Sequence, residues 1–230
     1  MRCFGLILVL VAASCVCLGC SRPKTPTVTV IGTTGDEDVP SLAFTNVSLK
    51  AGETLLVSCD DENADAKVTW NGVSLHQDAG PGKGGGGVYT SIFSLYSATG
   101  GTGNIVASHG TGGDLSFNAY SVTNLAASAL DKTSAAEGTG TNPSSGATPA
   151  TTKGNEFLWA AIGYAGNQTA SGAWSDGFTA CPQFTGTGGG IGGVEDAYKT
   201  VSSTGAYAAA KTGVNKDSWN AVIATYAIAP

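Results

Sequence analysis

The chain has 230 residues and a formal net charge of −6; only 12% of its residues are charged, whereas 42% are hydrophobic. This apolar content excludes an acidic disordered chain. The few Lys and Arg residues are scattered, which excludes a nucleic-acid partner, because phosphate binding needs clustered positive charge. The 34 glycines, among many Ser, Thr and Val residues, favour strands and turns.

The first residues have the pattern of an export signal. Arg2 supplies a positive charge, and the uncharged apolar run 4–16 is too short for a permanent transmembrane helix. The run ends at Cys17-Leu-Gly-Cys20, which resembles a lipobox, although Cys17 stands where leucine is usual. We predict a signal peptide over 1–19 and lipidation of Cys20. Processing at Cys15 and ordinary secretion without lipid are the alternatives.

Residues 20–27 are predicted to be the lipidated cysteine and a polar tether with two prolines, which cannot continue into a sheet interior. The predicted location is the bacterial cell envelope, with the lipid anchor as the sole membrane contact. Ser21, where an aspartate would favour retention at the inner membrane, favours the outer membrane or cell surface in a Gram-negative cell.

Residues 28–230 are predicted to be a single β-sandwich domain, because apolar residues recur with period two between glycine clusters. Asn71-Gly72 predicts a tight hairpin, and the run 156–164, apolar on both faces, predicts a central strand. The Thr-, Ser- and Gly-rich stretch 133–155 could pass for a linker, and 206–211 is the one short helix candidate. The further strands are predicted at 28–30, 42–49, 54–58, 67–71, 73–76, 88–96, 104–108, 114–122, 194–201 and 218–228.

Several of these segments, in this order, resemble a jelly-roll domain found in secreted bacterial proteins and in bacteriophage structural proteins. The resemblance covers most of 28–230 and implies an all-β, two-sheet jelly-roll sandwich of roughly ten or more antiparallel strands, lectin-like in shape. Its motifs are structural, so it implies surface recognition without fixing any binding residue. The segments are 68–75, 91–96, 129–133, 155–159 and 219–222.

Two cysteines remain once the signal is removed and Cys20 carries lipid. An even pair in an exported chain predicts a disulfide between Cys59 and Cys181. Two buried free thiols are the alternative.

Catalytic signatures are missing from the sequence. It contains no Gly-x-Ser-x-Gly or His-Glu-x-x-His string, and His76 and His109 are interpreted as polar surface histidines. Glu195 and Asp196 are adjacent, which in a strand sends them to opposite faces and not to one glycosidase cleft. We therefore predict a protein that is not an enzyme.

The acidic stretch 60–65 is the candidate cofactor site. Asp61, Asn63 and Asp65 offer oxygen atoms at alternate positions, as calcium prefers, although the rest of an EF-hand pattern fails. A solvated acidic turn without a metal is the alternative.

Trp174 is the candidate for ligand contact. Trp70, Trp159 and Trp219 lie in predicted strands and are expected in the core, whereas Trp174 lies in a polar loop beside Asn167 and Asp176. Aromatic faces backed by amides and carboxylates bind sugars. Trp174 folding over one end of the sandwich is the alternative.

These observations predict a cell-envelope lipoprotein that acts as a non-catalytic binding module, with a glycan, another surface polymer or extracellular matrix as its partner. A self-assembling surface or appendage subunit and a polysaccharide-active hydrolase are the alternatives. The oligomeric state stays open.

Overall fold

The computed structural model describes residues 24–82, 87, 89–110, 112–165, 172–182, 184, 193–214 and 217–230. Within these ranges the chain forms strands, turns and loops, and no helix there is long and apolar enough to cross a membrane. The strands are β1 (Val28–Asp36), β2 (Ser41–Leu49), β3 (Thr54–Asp61), β4 (Lys67–Trp70), β5 (Val73–Ser74), β6 (His76–Ala79), β7 (Tyr89–Leu95), β8 (Gly101–Ser108), β9 (Leu115–Val122), β10 (Leu125–Gly140), β11 (Glu156–Tyr164), β12 (Ala173–Trp174), β13 (Thr179–Ala180), β14 (Gly193–Val201), β15 (Lys211–Thr212) and β16 (Asp217–Ile228).

Three antiparallel sheets stack face to face. The front sheet has the order β2-β8-β4-β5, the middle sheet β1-β9-β3-β7-β6 and the back sheet β10-β16-β11-β14-β13. One apolar cluster fills the space between front and middle sheets, and a second fills the space between middle and back sheets. The prediction of an all-β sandwich with more than ten antiparallel strands is confirmed, but with a third stacked sheet in place of two.

The middle sheet is covered on both faces, which explains the burial of its central strands. Every residue of β3 and β9 is buried, as is every residue of β11 in the back sheet. The prediction that 156–164 is a central strand is thereby confirmed. Trp70, Trp159 and Trp219 are buried as predicted.

The outer face of the back sheet is covered by irregular chain. Phe178, Ala209 and Val214 pack against back-sheet residues such as Leu158 and Tyr164. In contrast, exposed and less exposed residues alternate along β2 of the front sheet, as in a strand that faces solvent on one side.

Local sequence signals succeed at turns and fail at one long strand. Asn71 and Gly72 both have positive φ, as the predicted hairpin requires. Residues 125–140, half of them within the stretch that resembled a linker, form β10 at the edge of the back sheet. Ala206–Lys211 is not helical; Lys211 begins β15.

Gly163 allows the middle and back sheets to approach closely. A Cβ atom at this position would collide with Thr90 Oγ1 and Asp60 Oδ1 of the middle sheet. Glycine is therefore required by the packing of the two layers.

Residues 24–27 and the last residue of β1 lie at opposite ends of the sandwich. Thr27 donates from its backbone to Thr123 Oγ1, and the Thr25 carbonyl accepts from Asn124, so residues 24–27 lie at the end where β1 begins. We call this the tether end. The nine residues of β1 extend about 30 Å to the opposite end.

Candidate functional site: the acidic loop end

Three loops converge at the end opposite the tether. Val39 donates from its backbone to the Gly113 carbonyl, and His109 donates from its backbone to the Pro40 carbonyl. Asp36 and Asp61 both pair with Leu115, at the start of β9. We call residues 36–40, 60–66, 109–110 and 112–114 the acidic loop end.

Negative charge is concentrated at this end. Eight of the 17 acidic residues of the chain lie in these segments, which contain neither Lys nor Arg. Asp114 lies close to Glu62, Glu37 and Asp38; its pKa is raised above the usual aspartate value, first by burial and then by these carboxylates. A surface with this balance attracts cations.

The carboxylate of Asp61 is a buried member of this acidic group. Its Oδ2 accepts a hydrogen bond of 3.2 Å from the Asp65 backbone, whereas its Oδ1 is buried without a hydrogen-bond partner. The residue is only 2% exposed, and burial raises its pKa above the usual value. A buried oxygen without a donor costs about 1–3 kcal/mol, so this arrangement is expensive unless something binds there.

His109 completes the same cluster and is not the surface histidine that the sequence predicted. It is 7% exposed, and its Nε2 lies 2.6 Å from the Val39 carbonyl, so Nε2 carries the hydrogen. Its Nδ1 lies 2.8 Å from Asn63 Nδ2, which donates to it. His76, in contrast, is exposed as predicted.

The structure brings two of the three predicted metal ligands, Asp61 and Asp65, together with His109, and it places the third, Asn63, beside His109. The donor atoms of Asp61, Asp65 and His109 all lie within 4.8 Å of one another, and Asn63 contacts His109. Sequence reasoning missed His109 because the pairing of β8 with β4, which places Ser108 opposite Lys67, brings it to the acidic turn, and local spacing does not. Whether the cluster holds calcium stays a prediction.

The rim of the loop end combines carboxylates with one aromatic ring. The Asp114 backbone donates to Glu62 Oε2 at 3.4 Å. The Phe184 ring lies against Gly35, where an added Cβ atom would collide with the ring and with Ser116 Cβ. Phe184 is partly exposed, and sequence reasoning did not single it out.

Trp174 lies on the covered outer face of the back sheet. It is partly buried, its ring centroid is 6.2 Å from that of Phe178, and Lys211 Nζ lies 5.9 Å from its ring centroid. The tryptophan therefore packs over the outer face of the back sheet, whereas the alternative to a ligand contact had placed it over one end of the sandwich. Asp176 is exposed beside it, whereas Asn167 lies outside the described residues. That these residues contact a ligand stays a prediction.

The predicted disulfide is not formed. Cys59 and Cys181 are free, buried thiols, as in the alternative. Cys59 belongs to the cluster between front and middle sheets, and Cys181 to the cluster between middle and back sheets. Cys20, the predicted lipidation site, lies outside the described residues.

Glu195 and Asp196 point to opposite faces of the back sheet, as predicted. Asp196 Oδ2 accepts hydrogen bonds from Asn118 Nδ2 at 2.7 Å and Tyr120 Oη at 3.0 Å, in the interface with the middle sheet. Glu195 pairs with Lys211 on the other face. The two carboxylates therefore do not share a cleft.

No protein-family model matches the chain, and neither a curated protein nor a solved structure matches it.

Proposed function

We propose that the chain is a lipid-anchored cell-envelope protein that binds a glycan or another surface polymer, without catalysis, through its acidic loop end. The observation that carries this proposal is the polarity of the fold. Residues 24–27 lie at one end of β1, and the acidic loops lie at the other. A lipid attached upstream of residue 24 would leave the loop end facing away from the membrane.

The loop end also has the chemistry for binding sugars. Exposed carboxylates on short loops accept hydrogen bonds from hydroxyl groups, and the partly exposed Phe184 ring offers an apolar face. The loops are held by a rigid sandwich, which is how binding loops are usually positioned. Self-assembly and polysaccharide hydrolysis stay predictions. No contact between the described residues supports either of them.

Retention on polymers tests the proposal and locates the site. The purified full-length chain is applied to a glycan array and to insoluble polysaccharides. We expect retention that falls at least fivefold in Glu62→Gln and Phe184→Ala. Both variants are checked for an unchanged melting temperature, because Phe184 is partly buried.

Trp174→Ala and Asp176→Asn are the matched variants on the other candidate face. We expect their retention to match that of the unaltered chain once folding is verified. Loss of retention in these variants, with no loss at the loop end, would place the site at Trp174. No retention by the unaltered chain on any polymer would refute the binding function.

A further inference from the structure

We propose that Asp61, Asp65 and His109 bind one divalent transition-metal ion of the zinc class. This site lies in the acidic loop end, but the inference does not depend on the binding of a polymer there. It goes beyond the calcium prediction in both its ligands and its metal.

The spacing of the donor atoms fits one ion. The donor atoms of the three side chains lie within 4.8 Å of one another. Zinc lies about 2.0–2.2 Å from nitrogen and oxygen ligands, so tetrahedrally arranged ligands of one ion are about 3.3–3.6 Å apart. The three donor atoms therefore need to approach one another by no more than about 1.5 Å to bind one ion.

Asp61 provides evidence for a bound cation that is independent of the spacing of the donor atoms. Its Oδ1 is buried without a hydrogen-bond partner, in a residue that is 2% exposed and that is one of the three converging side chains. A carboxylate held this way is not explained by solvation of an acidic turn, because water does not reach it. A cation at this point satisfies the oxygen.

The orientation of His109 matches that of a metal-ligating imidazole. Such histidines donate their second ring N–H to a carbonyl or carboxylate, which fixes the tautomer and the ring. Here Nε2 donates to the Val39 carbonyl at 2.6 Å, which leaves Nδ1 as the ring nitrogen that can bind an ion beside Asp61 and Asp65. The ion displaces the hydrogen bond from Asn63 Nδ2 to Nδ1.

The presence of imidazole decides the class of metal. Calcium and magnesium take oxygen ligands almost exclusively, whereas zinc and its neighbours bind imidazole readily. Asp65 is exposed and provides the route by which the ion enters. Water would fill the remaining coordination positions.

Calorimetric titration of the full-length chain, stripped of metal with EDTA and without polymer, tests the site. We expect one Zn²⁺ per chain, bound at least tenfold more tightly than Ca²⁺. His109→Gln keeps a donor for Val39 and is expected to weaken Zn²⁺ binding at least tenfold. His76→Gln, at the exposed histidine, is the matched control and is expected to bind as the unaltered chain does.

Asp61→Asn separates a ligand from a merely structural carboxylate. Because the substitution removes a buried unpaired oxygen charge, the metal-free variant is expected to melt at or above the temperature of the unaltered chain, and Zn²⁺ is expected to raise that temperature no further. Equal Zn²⁺ binding in His109→Gln, tighter binding of Ca²⁺, or absence of Zn²⁺ binding would each overturn the inference. Polymer retention measured in EDTA shows separately whether the proposed function survives.

Discussion

Asp196 is one of the buried carboxylates whose charge is opposed by its surroundings at neutral pH. It is completely buried between the middle and back sheets, and desolvation raises its pKa to about 7, against hydrogen bonds from Ser58, Asn118 and Tyr120 that lower it. Its Oδ1 has no hydrogen-bond partner. The packing of the two sheets therefore favours a protonated carboxyl.

This raised pKa predicts that the protein becomes less stable as the pH rises. Between the unfolded value of 3.8 and about 7 the folded state holds a proton that the unfolded state has lost, so stability is lost as the pH rises through this window. The full difference is on the order of 4 kcal/mol. We expect the melting temperature to fall by several degrees from pH 5 to pH 8.

Asp196→Asn is the control for this pH dependence. The amide keeps the oxygen that accepts from Asn118 and Tyr120 but carries no charge. We expect a higher melting temperature than that of the unaltered chain at pH 8 and a smaller change between pH 5 and pH 8. Identical pH profiles for both proteins would show that other groups cause the effect. Glu156, whose pKa burial also raises to about 7, adds to the same trend.

At the residue scale, local spacing predicted some of the site and long-range pairing decided the rest. Alternation along a strand correctly sent Glu195 and Asp196 to opposite faces. The turn that carries Asp61 and Asp65 was visible in the sequence, because its members are two to four positions apart. His109 and Phe184 reach the same end only through strand pairing and layer packing.

At the element scale, a buried ion pair fastens the ribbon of β12 and β15 to the back sheet. Lys211 in β15 pairs with Glu195 in β14; the two residues are only 3% and 4% exposed. Lys211 also lies over the ring of Trp174, its partner in the ribbon. Lys211 thereby packs against Trp174, which lies in a segment that the sequence predicted to be a polar loop.

Removing one partner of this pair is expected to be costly. Lys211→Met leaves Glu195 buried without its cation, which lowers the free energy of unfolding by about 3–5 kcal/mol. The double variant Lys211→Met with Glu195→Gln carries no unpaired charge and is expected to recover most of the loss. Urea denaturation at pH 7 measures both. Equal loss in the single and the double variant would mean that packing of the lysine stem, not charge, fastens the ribbon.

The elements that sequence analysis missed are those that tertiary packing stabilises. β10 consists largely of small residues and Thr, so no apolar alternation marked it, yet it pairs with β16 along 217–224. The hairpin at Asn71 and Gly72 was predictable because both residues adopt positive φ locally. Short-range turn chemistry is thus visible in the sequence, whereas an edge strand that gains its partners from elsewhere is not.

At the scale of the whole molecule, the third layer determines what the two cysteines can do. A middle sheet buried on both faces explains why β3 and β9 lack the alternation of a two-sheet sandwich. Cys59 projects from the middle sheet toward the front sheet, and Cys181 follows β13 in the back sheet. The even number of cysteines predicted a disulfide between them, because the sequence alone does not reveal that the middle sheet lies between the two residues.

This arrangement predicts two unreactive thiols and a fold that does not depend on oxidation. Stacked sheets lie about 10 Å apart, whereas a disulfide needs Cα atoms within about 7 Å of each other. Burial also raises the pKa of both thiols, which suppresses the reactive thiolate. We expect an alkylating reagent to label Cys59 and Cys181 only after denaturation, and dithiothreitol to leave the melting temperature unchanged. A mass 2 Da lower than that of the dithiol chain, with a melting temperature that reductant lowers, would show that the layers open far enough for the cysteines to meet.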